Sequence, residues 1–200
     1  MKLTAWLLIG GLVFSSVSTA REIEGVDLPE TLQIPDNSTP LLLNGAGTRN
    51  KFFFKIYVAG LYLPSQQRSS SDILSLPGPK RVHMHFLYKE VEKEKLTSGW
   101  QDGFQNNLDT ASFEQLAPRL AQFNSLFRTM QRGEVIDLDY LPKVGTRVWL
   151  NGELQGQVEG AEFYTALLKV WLGESPADKG LKTALLEGKS TNPACHFRNV

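Results

Sequence analysis

Cysteine is nearly absent: the chain of 200 residues has one, Cys195. A single cysteine rules out an internal disulfide, so an exported form of this chain must hold together by core packing, which its length allows. No Cys/His spacing of the zinc type is present either. Net charge is missing as well, since 21 Lys and Arg balance 21 Asp and Glu. With no basic run anywhere, the chain lacks the clustered cations that phosphate backbones require, which argues against a nucleic-acid binder. Long hydrophobic runs are also lacking. The apolar stretch over residues 3–14 falls short of the ~20 residues of a spanning helix, so no transmembrane span is expected in the mature chain. There is no Gly-x-Ser-x-Gly elbow, P-loop or zinc signature. "GAG" at 45–47 lacks the third glycine of a dinucleotide site and precedes a strand pattern rather than a helix.

What is present begins with a leader. Lys2 precedes the apolar stretch, "SSVSTA" follows it, and Ser18 and Ala20 fit a small-residue cleavage pattern that makes Arg21 the first mature residue. Residues 1–20 therefore read as a secretory signal peptide, and the expected location is the periplasm. Apolar content of 42% and charged content of 21% suit a globular domain. One domain is expected over 21–187. Residues 188–200 read as a flexible polar tail, in which Cys195 beside His196 lacks the positioned partner of a nucleophile.

Along the chain, residues 21–40 read as an extended lead-in with short strand pieces. "GAG" reads as a flexible turn that delivers Arg49 to the strongest strand, 51–63, which is apolar on both alternation faces and so expects cover on both sides. Residues 65–80 read as a loop with one helical turn near Asp72. In "RVHMHFLY", Val82, Met84, Phe86 and Tyr88 share one face, and Arg81, His83 and His85 the other, expected to face solvent. Helical spacing marks Leu96, Trp100, Gly103, Phe104, Asn107 and Leu108. A second stripe holds Phe113, Leu116, Leu120, Phe123 and Phe127, with Pro118 as a kink or a break. In "EVIDLDYL" Asp137 and Asp139 share a face, expected to be a solvated strand edge. Asn151-Gly152 supplies a type I′ hairpin turn. A helix follows over residues 161–172, and a shorter one over 178–186. Strands, helices, strands and helices in that order suit an α+β domain with an antiparallel sheet and helices on one face.

"NGAGTR" followed by "FKIYVAGLYL", then "LTSGWQDGFQNNL" and "FYTALLKVWLG", resembles the chalcone isomerase family, in particular its bacterial, secreted chalcone isomerase-like branch. The resemblance covers most of 21–187 and implies an open-faced β-sandwich: a large antiparallel sheet, helices over one face, and a ligand cleft between. It places Arg49 at the family's substrate-holding arginine and Tyr57 at a strand hydroxyl. The family's helix carries Tyr-x-x-Lys-x-x-x-Asn, and Trp100, Gly103 and Asn107 stand at those positions. Thr165 resembles its late serine or threonine. Removing one well-aimed donor from such a site costs ~10²–10³ in rate, and two are missing here.

The expectation is therefore a non-catalytic binder of a fatty-acid-like or other amphipathic anion, with Arg49, Tyr57, Trp100, Asn107 and Thr165 as ligand-binding residues. No metal or cofactor is called for. Alternatives stay open at this stage. Arg49 could pair with a carboxylate and only hold its turn. The chain could be an isomerase of a chalcone-like enone, a haem protein using His83 or His85, or an envelope interaction protein without a small ligand. The oligomeric state is not legible.

Overall fold

The structure, a computed structural model, describes residues 20–187. The signal-peptide reading and the Cys195–His196 tail lie outside the described residues. The chain opens with β1 (Ala20–Ile23) and β2 (Val26–Pro29), a hairpin turned by Glu24 and Gly25, both at positive φ. Then come β3 (Thr31–Leu32), β4 (Leu41–Lys51), β5 (Phe54–Leu63), α1 (Ser70–Ser75), β6 (Lys80–Phe86) and β7 (Glu90–Val91). α2 (Lys93–Gln105) and α3 (Thr110–Ser125) follow, then β8 (Met130–Gln131), β9 (Val135–Leu141), β10 (Gly145–Leu150) and β11 (Glu153–Val158). α4 (Ala161–Leu172) and α5 (Lys179–Glu187) complete the described chain.

Local chemistry sets many of these boundaries. Ser69 and Asp109 cap α1 and α3 by accepting the N–H of Asp72 and Ser112. Asp178 does the same for α5 through the N–H of Leu181, at 2.9 Å. Asn151 (φ 50°) and Gly152 (φ 82°) form the expected turn between β10 and β11. Pro118 neither breaks nor ends α3, which runs through it.

Seven strands make one antiparallel sheet in the order β11-β10-β9-β6-β5-β4-β3. All five helices belong to one side of the chain's packing scheme, and their apolar stripes meet Leu61, Val82, Met84, Phe86, Leu138 and Val148 in the larger core cluster. Each such fully buried side chain contributes roughly 1.5–3 kcal/mol. On the opposite face Val26, Leu28 and Ile34 of the lead-in cover Leu43, Val58, Tyr62 and Leu141. The double cover expected from the apolar run on β5 is therefore present, and the lead-in supplies its second layer.

Two expectations change in substance and one in bounds: the strand expected over 51–63 begins at Phe54, because Lys51 ends β4 and Phe52-Phe53 turn the hairpin. The Gly45-Ala46-Gly47 segment is not a turn but lies inside β4. A Cβ on Gly45 would stand 2.3 Å from the Ala184 carbonyl oxygen, and one on Gly47 would stand 2.6 Å from the Ala184 Cβ. These glycines are there so that α5 can lie directly on the strand. Nearby Asn44, fully buried at a bulge, donates to the Leu185 carbonyl at 2.8 Å and accepts from the Gln67 N–H at 2.7 Å. The second change concerns Asp137 and Asp139. β9 is an interior strand, between β6 and β10, and Asp139 is 1% exposed. Its carboxylate accepts from Nε and Nη2 of Arg81 at 2.5 and 2.7 Å, while the Asp137 carboxylate accepts from His83 Nδ1 at 2.7 Å. The face read as wet is a half-buried ionic network.

Candidate functional site

Arg49 near the end of β4 pairs in register with Tyr57 of β5, which in turn pairs with Phe86 of β6. Strand alternation puts all three on the helix-bearing face. The Arg49 guanidinium carbon lies 5.7 Å from the centre of the Tyr57 ring, a cation–π distance. Tyr57 is buried, and its oxygen accepts the indole N–H of Trp171, from α4, at 2.9 Å. Its own O–H is therefore left to donate. Burial raises the Tyr57 pKa, against the pull of the Arg49 charge and the Trp171 hydrogen bond, so the phenol stays neutral and protonated at physiological pH.

Above them α2 supplies Trp100, stacked edge-on against Trp171 with ring centres 5.6 Å apart and also touching Phe123 and Phe127. Gly103, one turn on, has a positional reason to lack a side chain: a Cβ there would stand 2.7 Å from a Val170 methyl, so α2 and α4 could not approach so closely.

These residues enclose an inner cavity of about 40 Å³, lined by Arg49, Tyr57, Phe86, Trp100 and Val170 among others. Among the described residues, two that line it hold buried N–H groups without an acceptor: Arg49 at Nε and Trp100 at Nε1. Among the described residues Arg49 makes no ion pair. The carboxylate of Asp178, whose charge reaches Tyr57, is already held by the N–H groups of Asn50 and Leu181. Arg49 also lines a larger outer cavity of about 570 Å³, whose wall includes Phe52, Phe54, Ile56, Tyr88 and Val91. Three cations there (Arg49, Lys51, Lys95) balance three carboxylates (Glu90, Glu94, Asp102).

An unmet buried donor costs about 1–3 kcal/mol, and two such donors belong to residues that line this one small cavity. The outer cavity falls in the ~300–1,000 Å³ range of small-ligand sites.

Three of the five expected site residues, Arg49, Tyr57 and Trp100, converge here. Asn107 does not line either cavity at Arg49. It ties the end of α2 to the α4–α5 connection, donating to the Gly103 and Ser175 carbonyls and accepting the Ser175 N–H. Thr165 lies in a separate depression and turns its hydroxyl back onto the Ala161 carbonyl at 3.1 Å. His83 and His85 are on the opposite face of the sheet from Arg49, as the pairing of Val58 with His85 requires. Trp171 was not anticipated. Its signal was an indole N–H in an otherwise apolar helix, which needs an acceptor once buried.

An antiparallel sheet with helices on one face, and a cleft between them, defines this α+β domain. The family model described as chalcone isomerase-like matches residues 20–187, and the chain belongs to that family. No curated protein matches it. Among solved structures it is similar to a fatty-acid binding protein from Arabidopsis thaliana, with 19% identity and a TM-score of 0.67, over 84% of this chain and 95% of that one. At that identity the likeness shows the fold.

Proposed function

We propose that this chain is an exported, periplasmic, non-catalytic member of the family that binds a fatty-acid-like or other amphipathic carboxylate. The observation that carries this reading is the pair of acceptor-less N–H groups, on Arg49 and Trp100, at the inner cavity. A carboxylate would take the Arg49 guanidinium, the Tyr57 O–H and the Trp100 N–H as donors. The apolar body would then lie outward along Ile56, Val91, Phe54 and Tyr88. The solved fatty-acid binding protein of the same fold supports the choice of ligand class. Among the residues lining the inner cavity, the ionisable ones are Arg49, Tyr57 and Lys95, a set with positive charge and donors but no carboxylate or histidine.

The test is lipid analysis of the protein as purified. Arg49→Ala should lose the co-purified anion and weaken a long-chain fatty acid about 10- to 100-fold, the equivalent of one charge-assisted hydrogen bond of ~1.5–3 kcal/mol. Unchanged lipid content in the mass spectrum of the extract would sink the reading.

A further inference from the structure

The β4–β5 turn carries the sequence Lys51-Phe52-Phe53-Phe54-Lys55 at the far end of a long hairpin. Phe52, Phe53 and Phe54 are 86%, 100% and 54% exposed, whereas the other exposed large apolar side chains among the described residues, Leu42 and Leu154, stand singly. Lys51 pairs with Phe54, so Phe52 and Phe53 are the two turn residues, and Phe52 has φ +56°. A positive φ at the first turn position is where glycine fits without strain, yet an aromatic residue stands there. Folding gains little from these rings. Phe54 alone finds a partner, the edge of Tyr88 at 5.3 Å between ring centres. Lys51, Phe52, Phe54 and Tyr88 also line the outer cavity that leads to Arg49.

We propose that this tip inserts into the interfacial layer of a lipid bilayer and seats the mouth of the outer cavity on the membrane, so that an amphipathic anion passes between bilayer and cleft. The passage of ligand rests on the binding reading above; the docking itself does not. Area favours a lipid partner over a protein one. Three phenylalanines offer roughly 150–250 Å² each, so about 450–750 Å² in all, which is below the ~800 Å² that a standard protein interface buries on each partner. Insertion into lipid needs no matching groove. Aromatic rings and Tyr88 suit the headgroup boundary, and the flanking lysines can extend their ammonium groups to water. Because the cations and carboxylates at the cavity wall balance, attachment is by insertion rather than charge, weak and reversible as for one small anchor.

Sedimentation with sucrose-loaded phosphatidylcholine vesicles tests this, using the full chain and its Phe52→Gly/Phe53→Ser variant. Both carry the same residues 1–20, so the difference between them reads the tip. The wild type should pellet with the vesicles, with little dependence on salt or added phosphatidylglycerol. The variant should pellet at least about tenfold less with no loss of melting temperature, since the rings are exposed. A Phe53→Trp chain should show blue-shifted emission on vesicles and quenching by brominated lipid. Equal pelleting of wild type and variant, or no wild-type pelleting, overturns the proposal. So does a dimer in equilibrium sedimentation that only the variant abolishes, which would assign the tip to a second copy. Arg49→Ala separates the two claims: docking predicts that it still pellets, whatever it does to fatty-acid affinity.

Discussion

Two arginines on opposite faces of one sheet have opposite circumstances. Arg81, on β6, meets the carboxylate of Asp139 through two nitrogens and lies 3.5 Å from that of Asp137. Arg49, on β4, meets an aromatic face and leaves a buried N–H without an acceptor. Both were set by the same alternation rule, and only the neighbours differ. On the lead-in face Arg81, Arg21 and Arg147 each have a carboxylate partner within the chain, although Arg21 Nη2 and Arg147 Nε are buried there without an acceptor among the described residues. On the helix face Arg49 has no carboxylate partner among the described residues. A satisfied buried network specifies a fold, and an unsatisfied one beside a cavity points to a ligand.

The sharpest break of that contrast is to remove the acid. Burial raises the pKa of the Asp139 carboxyl against the opposing pull of Arg81, so the pair is worth less as a stabiliser than its short contacts suggest. Deleting one member is a different matter. Asp139→Ala should cost about 3–5 kcal/mol in urea unfolding, because a half-buried guanidinium loses its partner. Arg49→Ala should cost no more than about 1 kcal/mol, the scale of one cation–π contact. If the two losses were equal, Arg49 would be a structural charge like Arg81 and the open-site argument would fail.

Next in size is Gly45→Ala. The added methyl meets backbone oxygens of α5 at 2.3 and 2.4 Å, and backbone cannot swing aside as a side chain can. Overpacking of this kind costs about 1–3 kcal/mol. The same shift strains the Asn44 bond to Leu185 and the Asp178 contacts that fix the strand end next to Arg49. Loss of stability together with weakened ligand affinity is expected, measured by thermal melting and by fatty-acid titration. At Gly25, where a Cβ meets nothing within 4 Å, the same methyl tests backbone conformation alone, since φ there is +76°.

The contrast between the two faces also explains what could be read from sequence. α4 and the Asn151-Gly152 turn were legible because their signals are local: an apolar run stopped by Gly173, and a dipeptide suited to positive φ. The α3 stripe was legible through its period, although Phe113 is only partly buried. The alternation of Asp137 and Asp139 was read correctly and their surroundings were not, since Arg81 lies 58 residues from Asp139 in sequence. Gly45 and Gly47 misled for a related reason. Glycine serves a turn or a close approach equally well, and only α5, some 140 residues later, decides which. At the site, Arg49 and Tyr57 were visible as polar groups in an apolar run. Asn107 and Thr165 were taken from matching motif positions, and the structure gives each a backbone partner four residues back in the chain instead. Trp171 entered only when β5 and α4 met.

A third cation refines the comparison and carries the smallest effect. Lys80 is the neighbour of Arg81 on β6 but points to the helix face, 5% exposed. Its ammonium donates to the carbonyls of Leu76 and Gly78 and sits 5.1 Å from the Tyr140 ring centre, with no carboxylate among its hydrogen-bond partners. Burial lowers its pKa from the ordinary 10.5 to about 8. Between those values the unfolded chain keeps a proton that the folded chain has released, so stability should rise with pH from about 8 upward. Above pH 10 the rise should fade. The buried phenols of Tyr57, Tyr62 and Tyr164, all raised by desolvation, then act with the opposite sign, since only the unfolded tyrosines ionise. Urea midpoints of wild type and Lys80→Met across pH 7.5–10 isolate the lysine, and the wild-type excess should grow toward alkaline pH. Parallel curves would mean that the carbonyls hold the ammonium as well as water does. Lys80 would then belong with Arg81 as a charge satisfied from within.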